Sequence, residues 1–229
     1  MSEHNMKVIA RIRSPFSTKF GIPRQSGLVK ELRSTIVFEP EFRNPDALRG
    51  MEGFSHIWLI WQFSEAVREE WSPTVRPPRL GGNVRMGVFA TRSPFRPNPI
   101  GLSCVEIVGI EEQGEDGTVI IVAGADLMDG TPIYDIKPYA LYADCHPEAR
   151  SGFASAQWER QLELDFPDSL AAKIPDAELL AALKGVLEND PRPSYHKDPE
   201  RVYGMDFGGY NIKFRVSDGI LTVTDIAKI

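Results

Sequence analysis

The sequence predicts a mainly β protein, in which an N-terminal β-barrel domain (residues 1–150) precedes a small C-terminal α+β domain (residues 151–229). Three observations lead to this fold class. Short strand-like runs fill the first 150 residues without a regular alternation of strand and helix, helical spacing begins only after Gly152, and the chain ends in a hairpin pattern. A chain of 229 residues can bury such cores without disulfide or metal support.

The predicted strands of the first domain are apolar, β-branched or aromatic runs separated by loops rich in proline and glycine. They cover residues 6–13, 35–38, 53–63, 86–91, 101–110, 117–125 and 133–139. Only residues 45–50 and 65–71 look helical, and both segments are short. Many short strands without βα units predict a closed or partly closed barrel rather than a doubly wound sheet.

The second domain combines helical and strand patterns. Residues 154–164 and 176–188 have helical spacing of apolar side chains, and Asp176 stands where an N-cap residue is expected. Two alternating runs, residues 210–216 and 220–224, flank Asp218-Gly219, a dipeptide typical of a tight hairpin turn.

The charge of the chain is strongly uneven. The net charge is −6 and the pI is about 5.3, which by themselves argue against a nucleic-acid partner. However, residues 4–30 and 71–105 together hold eleven Lys and Arg side chains and no acid, so the rest of the chain carries a net −17. The average therefore hides two basic stretches that suit an anionic ligand.

Several classes of protein are excluded by missing patterns. The N-terminus lacks the apolar core of a secretion signal, and the longest mostly apolar run, residues 54–63, is about half the length of a membrane span. Cys104 and Cys145 form no C-x-x-C motif, so we expect neither a zinc site nor a disulfide framework. Ser55 and His56 are adjacent, so we expect them to face opposite sides of a strand and not to form a nucleophile–base pair, which argues against a serine hydrolase. We expect a cytoplasmic protein without a membrane anchor.

Two loops present arginines in a stiff frame. Pro23 and the flanking glycines hold Arg24 and Gln25 in a defined direction, unless this segment is an ordinary solvated turn. Residues 79–102 contain four arginines among glycines and prolines, and unpaired arginines there would bind phosphates, a carboxylate or an RNA backbone. Ion pairs with acids elsewhere in the chain are the alternative. The segment contains no phosphate-binding loop and no dinucleotide-binding fingerprint.

Residues 125–139 carry a polar group of a different kind. Asp126 and Asp129 bracket a turn, and Asp135 and Lys137 share one strand face with the phenol of Tyr139. Such a group could move a proton or orient a polar substrate, although a simple strand-end ion pair explains it equally well. Two carboxylates without further oxygen ligands are weak evidence for a cation, so we predict no metal.

At these segments the sequence resembles the TrmO family of tRNA methyltransferases, also called the TsaA-like family. The resemblance extends over nearly the whole chain, and its longest string is highly specific. The matching strings are residues 19–28, 53–58, 85–102, 129–139 and, near the C-terminus, 190–195.

The resemblance implies a β-barrel methyltransferase, unrelated to the Rossmann type, that uses S-adenosylmethionine. The implied substrate is N6-threonylcarbamoyladenosine at position 37 of tRNAs reading ANN codons, which is methylated on N6. A homodimer with the cofactor pocket near the subunit interface is also implied. Non-catalytic RNA binding by the barrel is the first alternative, and a hydrolase or transferase acting on a small anionic metabolite is the second.

The resemblance also carries site residues over to this chain. The implied cofactor contacts are Pro23, Arg24, Gln25, Ser64, Glu65, Arg92, Leu102, Asp126, Leu127, Met128 and Asp129. We expect Asp135 to act as the general base, held by Lys137 and Tyr139, and the arginines that bind tRNA to be Arg76, Arg79, Arg85 and Arg96. Two departures from the family pattern are Ser64, where the family commonly has histidine, and Ala140-Leu141, where it often has Leu-Pro.

Overall fold

A computed structural model describes residues 5–77, 80, 82–154, 161–193 and 198–229. Its strands are β1 Ala10–Arg13, β2 Arg33–Phe38, β3 His56–Gln62, β4 Thr74–Val75, β5 Met86–Gly87, β6 Ile100–Glu112, β7 Thr118–Ala123, β8 Pro132–Pro138, β9 Glu163–Asp165, β10 Tyr203–Phe207, β11 Tyr210–Ser217 and β12 Ile220–Lys228. Its α-helices are α1 Leu141–Asp144, α2 Asp168–Ala171 and α3 Ala177–Glu188. None of the described helices is long and apolar enough to cross a bilayer.

Six strands of the first half form a closed barrel in the order β1-β2-β7-β6-β3-β8, and neighbouring strands are antiparallel. The alternation of β3 explains how the barrel is filled, because Ile57, Leu59 and Trp61 are buried while the residues between them are only partly so. The mainly β fold and its barrel are therefore confirmed.

The second half forms a four-stranded sheet in the order β10-β11-β12-β9, covered by α3. Asp176 caps α3 as predicted, because its Oδ1 accepts hydrogen bonds of 3.0 Å from the amides of Glu178 and Leu179. The predicted hairpin is also present. Asp218 and Gly219 both have positive φ, at 52° and 84°, as a two-residue turn between twisted strands requires.

Four local predictions fail or hold only in part. Of residues 86–91 only β5 is extended, and Val88–Ala90 form a 3-10 turn after Gly87. Residues 65–71 are not a helix, since the 3-10 turn Ser64–Ala66 ends where Val67 becomes extended, and in residues 45–50 only Pro45–Leu48 form a 3-10 turn. Residues 155–160 of the predicted helix over 154–164 lie outside the described residues. Its last part is β9, which pairs in parallel with the otherwise open edge of β12.

The described residues contain two hydrophobic cores. One fills the barrel, and the other lies between α3 and the second sheet. The second core also contains Phe16, Val29 and Leu32, which belong to the long loop between β1 and β2. This loop, residues 14–32, therefore connects the barrel to the C-terminal half of the chain by packing as well as by sequence.

Candidate active site

The loop that follows β7 places one carboxylate at the end of the barrel. Asp126 is partly buried, and its Oδ1 accepts a hydrogen bond of 2.5 Å from the hydroxyl of Ser103. That hydroxyl in turn accepts a hydrogen bond of 2.9 Å from Nε1 of Trp61, inside the barrel. Burial raises the pKa of Asp126, and the Ser103 hydrogen bond and the charge of Arg92 oppose the rise. A fixed acceptor with perturbed ionisation is typical of a functional site.

Residues 23–27 approach this carboxylate from the long loop. Pro23 is buried and Arg24 exposed, while the side chain of Gln25 donates to the carbonyl of Arg24 at 2.5 Å and accepts from Arg92. The Ser26 hydroxyl accepts a hydrogen bond of 3.2 Å from the amide of Cys104. The structure thus brings the predicted residues Gln25, Arg92 and Asp126 together, and Arg24 adjoins this cluster through its carbonyl, which Gln25 contacts.

A close approach of two glycines makes this convergence possible. The amide of Gly27 donates to the carbonyl of Gly124 at 2.8 Å, and both residues have positive φ. A Cβ added to Gly124 would lie 3.0 Å from the Cα of Gly27, so a side chain there would push the two loops apart.

The remaining residues of the 126–129 turn differ in accessibility. Leu127 is buried in the barrel core, and its carbonyl accepts a hydrogen bond of 2.8 Å from the Ser14 hydroxyl. The Met128 carbonyl accepts the hydroxyl of Thr131 at 2.7 Å, and the Asp129 carboxylate accepts the amide of Ser14 at 3.0 Å. These contacts hold residues 127–129 in place, and they thereby fix the position of Asp126 at the start of the turn.

The arginine-rich loop is held by Arg96 from within the loop and by Arg68 from outside it. Nη1 of Arg96 donates to the carbonyls of Thr91 at 2.9 Å and Ser93 at 3.4 Å, and the guanidinium of Arg68 lies 3.7 Å from the ring centroid of Phe95. Arg96 therefore also stabilises the conformation of the loop between Thr91 and itself.

The other arginines predicted to bind tRNA are Arg76, Arg79 and Arg85. Arg76 and Arg85 are exposed, as tRNA contacts would require. Arg79 lies outside the described residues.

The outer face of the barrel carries the predicted proton acceptor. Asp135 and Lys137 form an ion pair of 3.0 Å, as the strand spacing indicated. Asp135 lies opposite Ile60 on β3, and Ile60 lies opposite Leu102 on β6, so the carboxylate and a predicted cofactor residue belong to one cross-strand row. Leu102 is 54% exposed, an unusual value for a leucine in a central strand.

Tyr139 does not join the Asp135–Lys137 pair in the way the sequence indicated. Its ring packs against Trp58, with centroids 5.9 Å apart, and its backbone amide donates to the carbonyl of His56. Burial raises the pKa of its phenol. Within the described residues, the three side chains predicted to act together therefore form two separate groups. Asp135 and Lys137 form an ion pair, and Tyr139 packs with Trp58 beyond the end of β8.

Ser64 and Glu65 are exposed in the 3-10 turn that follows β3. Phe63, just before them, packs on Trp61 with centroids 4.2 Å apart and donates its amide to the carbonyl of Pro99. The turn therefore adjoins the Trp61–Ser103–Asp126 chain.

Three residues that sequence reasoning missed complete the site. Ser103 is a polar side chain at an inward position of β6, Trp61 is an inward indole whose N–H needs a partner, and Arg68 precedes a proline-rich loop. The alternation of inward and outward residues along β3 and β6 could have identified Ser103 and Trp61 as polar groups inside the barrel. Within the described residues no three His, Cys, Asp or Glu side chains group as metal ligands.

An antiparallel barrel with this polar cluster at one end and an arginine-rich loop beside it is the arrangement expected from the resemblance to β-barrel methyltransferases. Residues 11–145 match the tRNA-methyltransferase O N-terminal domain, and residues 159–229 match the TrmO C-terminal domain. The chain therefore belongs to the TrmO family.

Relatives support the same conclusion over the whole chain. The tRNA (adenine(37)-N6)-methyltransferase of Escherichia coli K12 is 40% identical over 225 residues, which are 95% of each protein. A Pseudomonas aeruginosa relative that carries the name of an S-adenosylmethionine-dependent methyltransferase is 39% identical over 98% of each. The crystal structure of TrmO from Pseudomonas aeruginosa superposes with a TM-score of 0.77, 32% identity and coverage of 99% of this chain and all of that one.

The donor set of the cluster fits S-adenosylmethionine. Asp126 offers a carboxylate for an ammonium or a ribose hydroxyl, Arg92 a guanidinium for a carboxylate, and Gln25 an amide that both donates and accepts. The ammonium, carboxylate and hydroxyls of the cofactor thus each have a partner of the right chemistry in the cluster. Leu102, next to Ser103 on β6, contributes an exposed apolar side chain on the outer face of the barrel.

Proposed function

We propose that this chain transfers a methyl group from S-adenosylmethionine to N6 of adenosine 37 in tRNA, and that the adenosine it accepts carries an N6-threonylcarbamoyl group. The observation that supports the activity most directly is the 40% identity to a tRNA (adenine(37)-N6)-methyltransferase over 95% of both chains. The cluster of Gln25, Arg92 and Asp126 supplies matching chemistry for the cofactor.

Positioning is the main contribution of the protein to such a reaction. When bound, S-adenosylmethionine would supply a methyl group on a positively charged, electrophilic sulfur, and transfer would exchange the sulfur–methyl bond for an N6–methyl bond. Arg24, Gln25, Arg92 and Asp126 would hold the cofactor, and Ser64, Glu65 and the 127–129 turn border the same region.

The substrate nitrogen needs help because its lone pair is delocalised into a urea-like group. Asp135 accepts the N6 proton as the new bond forms, so that the product is neutral at nitrogen. Lys137, 3.0 Å from Oδ2 of Asp135, orients this carboxylate. Tyr139 lies apart from this carboxylate, and its ring, which packs against Trp58, borders the site of the adenine base. Arg85 or Arg96 binds the threonyl carboxylate, and Arg76 and Arg79 bind the tRNA backbone.

We also propose a homodimer, as the family resemblance implies. Exposed apolar side chains support it: Leu102 is 54% exposed on the outer face of the barrel, and Phe89 and Trp71, whose rings lie 6.1 Å apart, are 72% and 53% exposed. In this proposal the cofactor cluster lies near the subunit interface. Sedimentation equilibrium tests this directly, and a monomer at micromolar concentration would contradict it. With tRNA as its substrate, the enzyme would work in the cytoplasm. We also propose that the chain divides into its two domains near residue 150.

One assay tests the activity. The chain is incubated with methyl-labelled S-adenosylmethionine and tRNA with or without the threonylcarbamoyl group, and the tRNA is digested to nucleosides. We expect label on N6 of the modified adenosine only. Binding of tRNA without any label on adenosine 37 would instead identify a non-catalytic RNA-binding barrel, and turnover of a small anionic metabolite without RNA would identify the third class.

A further inference from the structure

The long loop that carries Arg24 and Gln25 is built into the C-terminal core. Phe16, Val29 and Leu32 are at most 1% exposed and pack with residues of α3 and the second sheet. The Phe20 ring stacks on Tyr203 and Phe214, with centroids 6.4 and 6.5 Å apart. The C-terminal domain therefore forms the support under this loop.

Gly21 shows how closely β10 underlies the loop. Its φ is +93°, and a Cβ at this position would lie 2.1 Å from Sδ of Met205. The amide of Gly208, just after β10, donates to the carbonyl of Pro15 at 2.8 Å and so forms a second contact between this strand and the long loop. The backbone three residues before Arg24 thus has little room to move.

A turn of the C-terminal domain contacts Arg24 itself. Nη2 of Arg24 donates a hydrogen bond of 3.2 Å to the carbonyl of Arg192. The Arg192 guanidinium is in turn bound by both oxygens of Asp190, at 2.8 and 3.0 Å, and the two side chains are only 15% and 24% exposed. Asp190 has a φ of +51°, so this ion pair closes a tight turn over residues 190–192.

The other side of the loop is bound to the barrel. Gln25 contacts Arg92, Ser26 accepts from the amide of Cys104, and Gly27 donates to Gly124. Residues 24–27 are therefore fixed between the 190–192 turn on one side and the candidate cofactor cluster on the other.

We propose that Arg192 is a positioning residue for the cofactor site: by closing the 190–192 turn it fixes Arg24, so that the C-terminal domain sets the affinity for S-adenosylmethionine. This inference rests on the proposed function, because it takes the cluster around Arg24 to be the cofactor site. It assigns a role in cofactor binding to a domain outside the barrel.

The test compares Arg192→Ala and Arg192→Lys in the full-length chain with Asp225→Asn. Asp225 pairs with Lys173 at 3.4 Å and Lys213 at 3.5 Å in the same domain, so its variant is a matched loss of an ion pair away from the loop. The dissociation constant for S-adenosylmethionine is measured by calorimetry without tRNA. The KM for tRNA and the kcat at saturating cofactor are measured separately, and amide hydrogen exchange over residues 20–28 is followed without cofactor.

We expect Arg192→Ala to weaken cofactor binding about fivefold to tenfold, as the loss of one charge-assisted contact does. Arg192→Lys should weaken it less. Both should leave kcat and the KM for tRNA within about twofold of wild type, and exchange over residues 20–28 should be faster in Arg192→Ala than in Asp225→Asn.

Cofactor affinity of Arg192→Ala equal to that of Asp225→Asn would overturn the inference. An effect confined to the KM for tRNA would overturn it too, and would assign the turn to the RNA side. The proposed function fails separately, if the wild-type chain itself binds no S-adenosylmethionine. Hydrogen exchange then still shows whether Arg192 orders the loop, because that measurement needs no cofactor.

Discussion

The hydroxyl of Ser103 donates to the carboxylate of Asp126 over 2.5 Å while accepting from the indole of Trp61. A side chain of the barrel interior thereby orients a carboxylate at its end. Replacement by alanine leaves both the indole N–H and the carboxylate short of a partner. We expect Ser103→Ala to lower the free energy of unfolding by about 1–3 kcal/mol and to weaken cofactor binding.

Ser34→Ala is the matched control for this substitution. Ser34 is equally buried in β2, but its hydroxyl meets no hydrogen-bond partner among the described residues. Its replacement should be neutral or stabilising. Urea unfolding of both variants measures the difference, and equal losses of stability would show that Ser103 contributes only packing.

The ionisation of Asp126 predicts a specific pH dependence. Burial raises its pKa above the ordinary value of 3.8, so the native state holds this proton more tightly than the unfolded chain. Its contribution to stability is complete below pH 3.8 and is lost as the pH rises through the folded pKa. Asp126→Asn should therefore gain stability relative to wild type as the pH rises from about 3.5 to neutrality. Parallel curves of unfolding free energy against pH would show that the carboxylate is not desolvated.

Gly101 is required by the position of Trp61. A Cβ on Gly101 would lie 2.2 Å from Cε2 of the indole, so Gly101→Ala must displace Trp61 from Ser103. We expect a loss of about 1–3 kcal/mol in thermal or urea unfolding. Gly109→Ala on the same strand places its Cβ 3.5 Å from a Glu111 oxygen, an ordinary contact, and should change stability by less than about 0.5 kcal/mol.

Asp135 is tested as the proton acceptor by Asp135→Asn. If it is the general base, kcat with saturating cofactor and modified tRNA should fall by about 10²–10⁴, with little change in cofactor affinity. Asp116→Asn removes a comparable ion pair, with Arg13, from another part of the barrel and should leave kcat unchanged. A fall of less than about threefold in Asp135→Asn would leave the Asp135–Lys137 pair as a structural feature of the strand end.

Arg85 and Arg96 should differ in what they contribute to RNA binding. Arg85 is exposed, so Arg85→Ala should weaken tRNA binding across the salt series, more for tRNA that carries the threonylcarbamoyl group than for unmodified tRNA, with cofactor affinity unchanged. Arg96 also clamps the carbonyls of Thr91 and Ser93, so Arg96→Ala should disturb the loop beside Arg92 and weaken cofactor binding as well. Filter binding over a salt series and calorimetry separate the two effects.

The sequence predicted the barrel because period-two alternation is a local signal. It also predicted the Asp176 cap and the Asp218-Gly219 turn, whose chemistry depends on neighbouring residues only. Residues 163 and 164 were predicted as the end of a helix, but they belong to a strand, residues 163–165, that exists only through pairing with the distant edge of β12. Residues 88–90 depart from a strand because Gly87 and the proline-rich loop around them redirect the chain.

The site was predictable where its residues lie in loops with a recognisable motif. The stiff loops drew attention to Arg24, Gln25 and Arg92, and the family resemblance implied a cofactor role for them and for Asp126; the structure brings Gln25, Arg92 and Asp126 together. Ser103 was not selected, and Arg192 was noted only within the matching string 190–195 and was assigned no role, because a serine in an apolar strand and an arginine in a distant domain acquire their roles only through tertiary contacts.

The placement of Phe16, Val29 and Leu32 in the C-terminal core also determines how the molecule unfolds. Neither half can lose its structure without exposing side chains that the other half covers. We therefore expect one cooperative calorimetric transition for the whole chain, with a calorimetric enthalpy equal to the van't Hoff enthalpy. A fragment that ends near residue 150 would carry three large apolar side chains into water, and its aggregation would reflect a cut through a shared core.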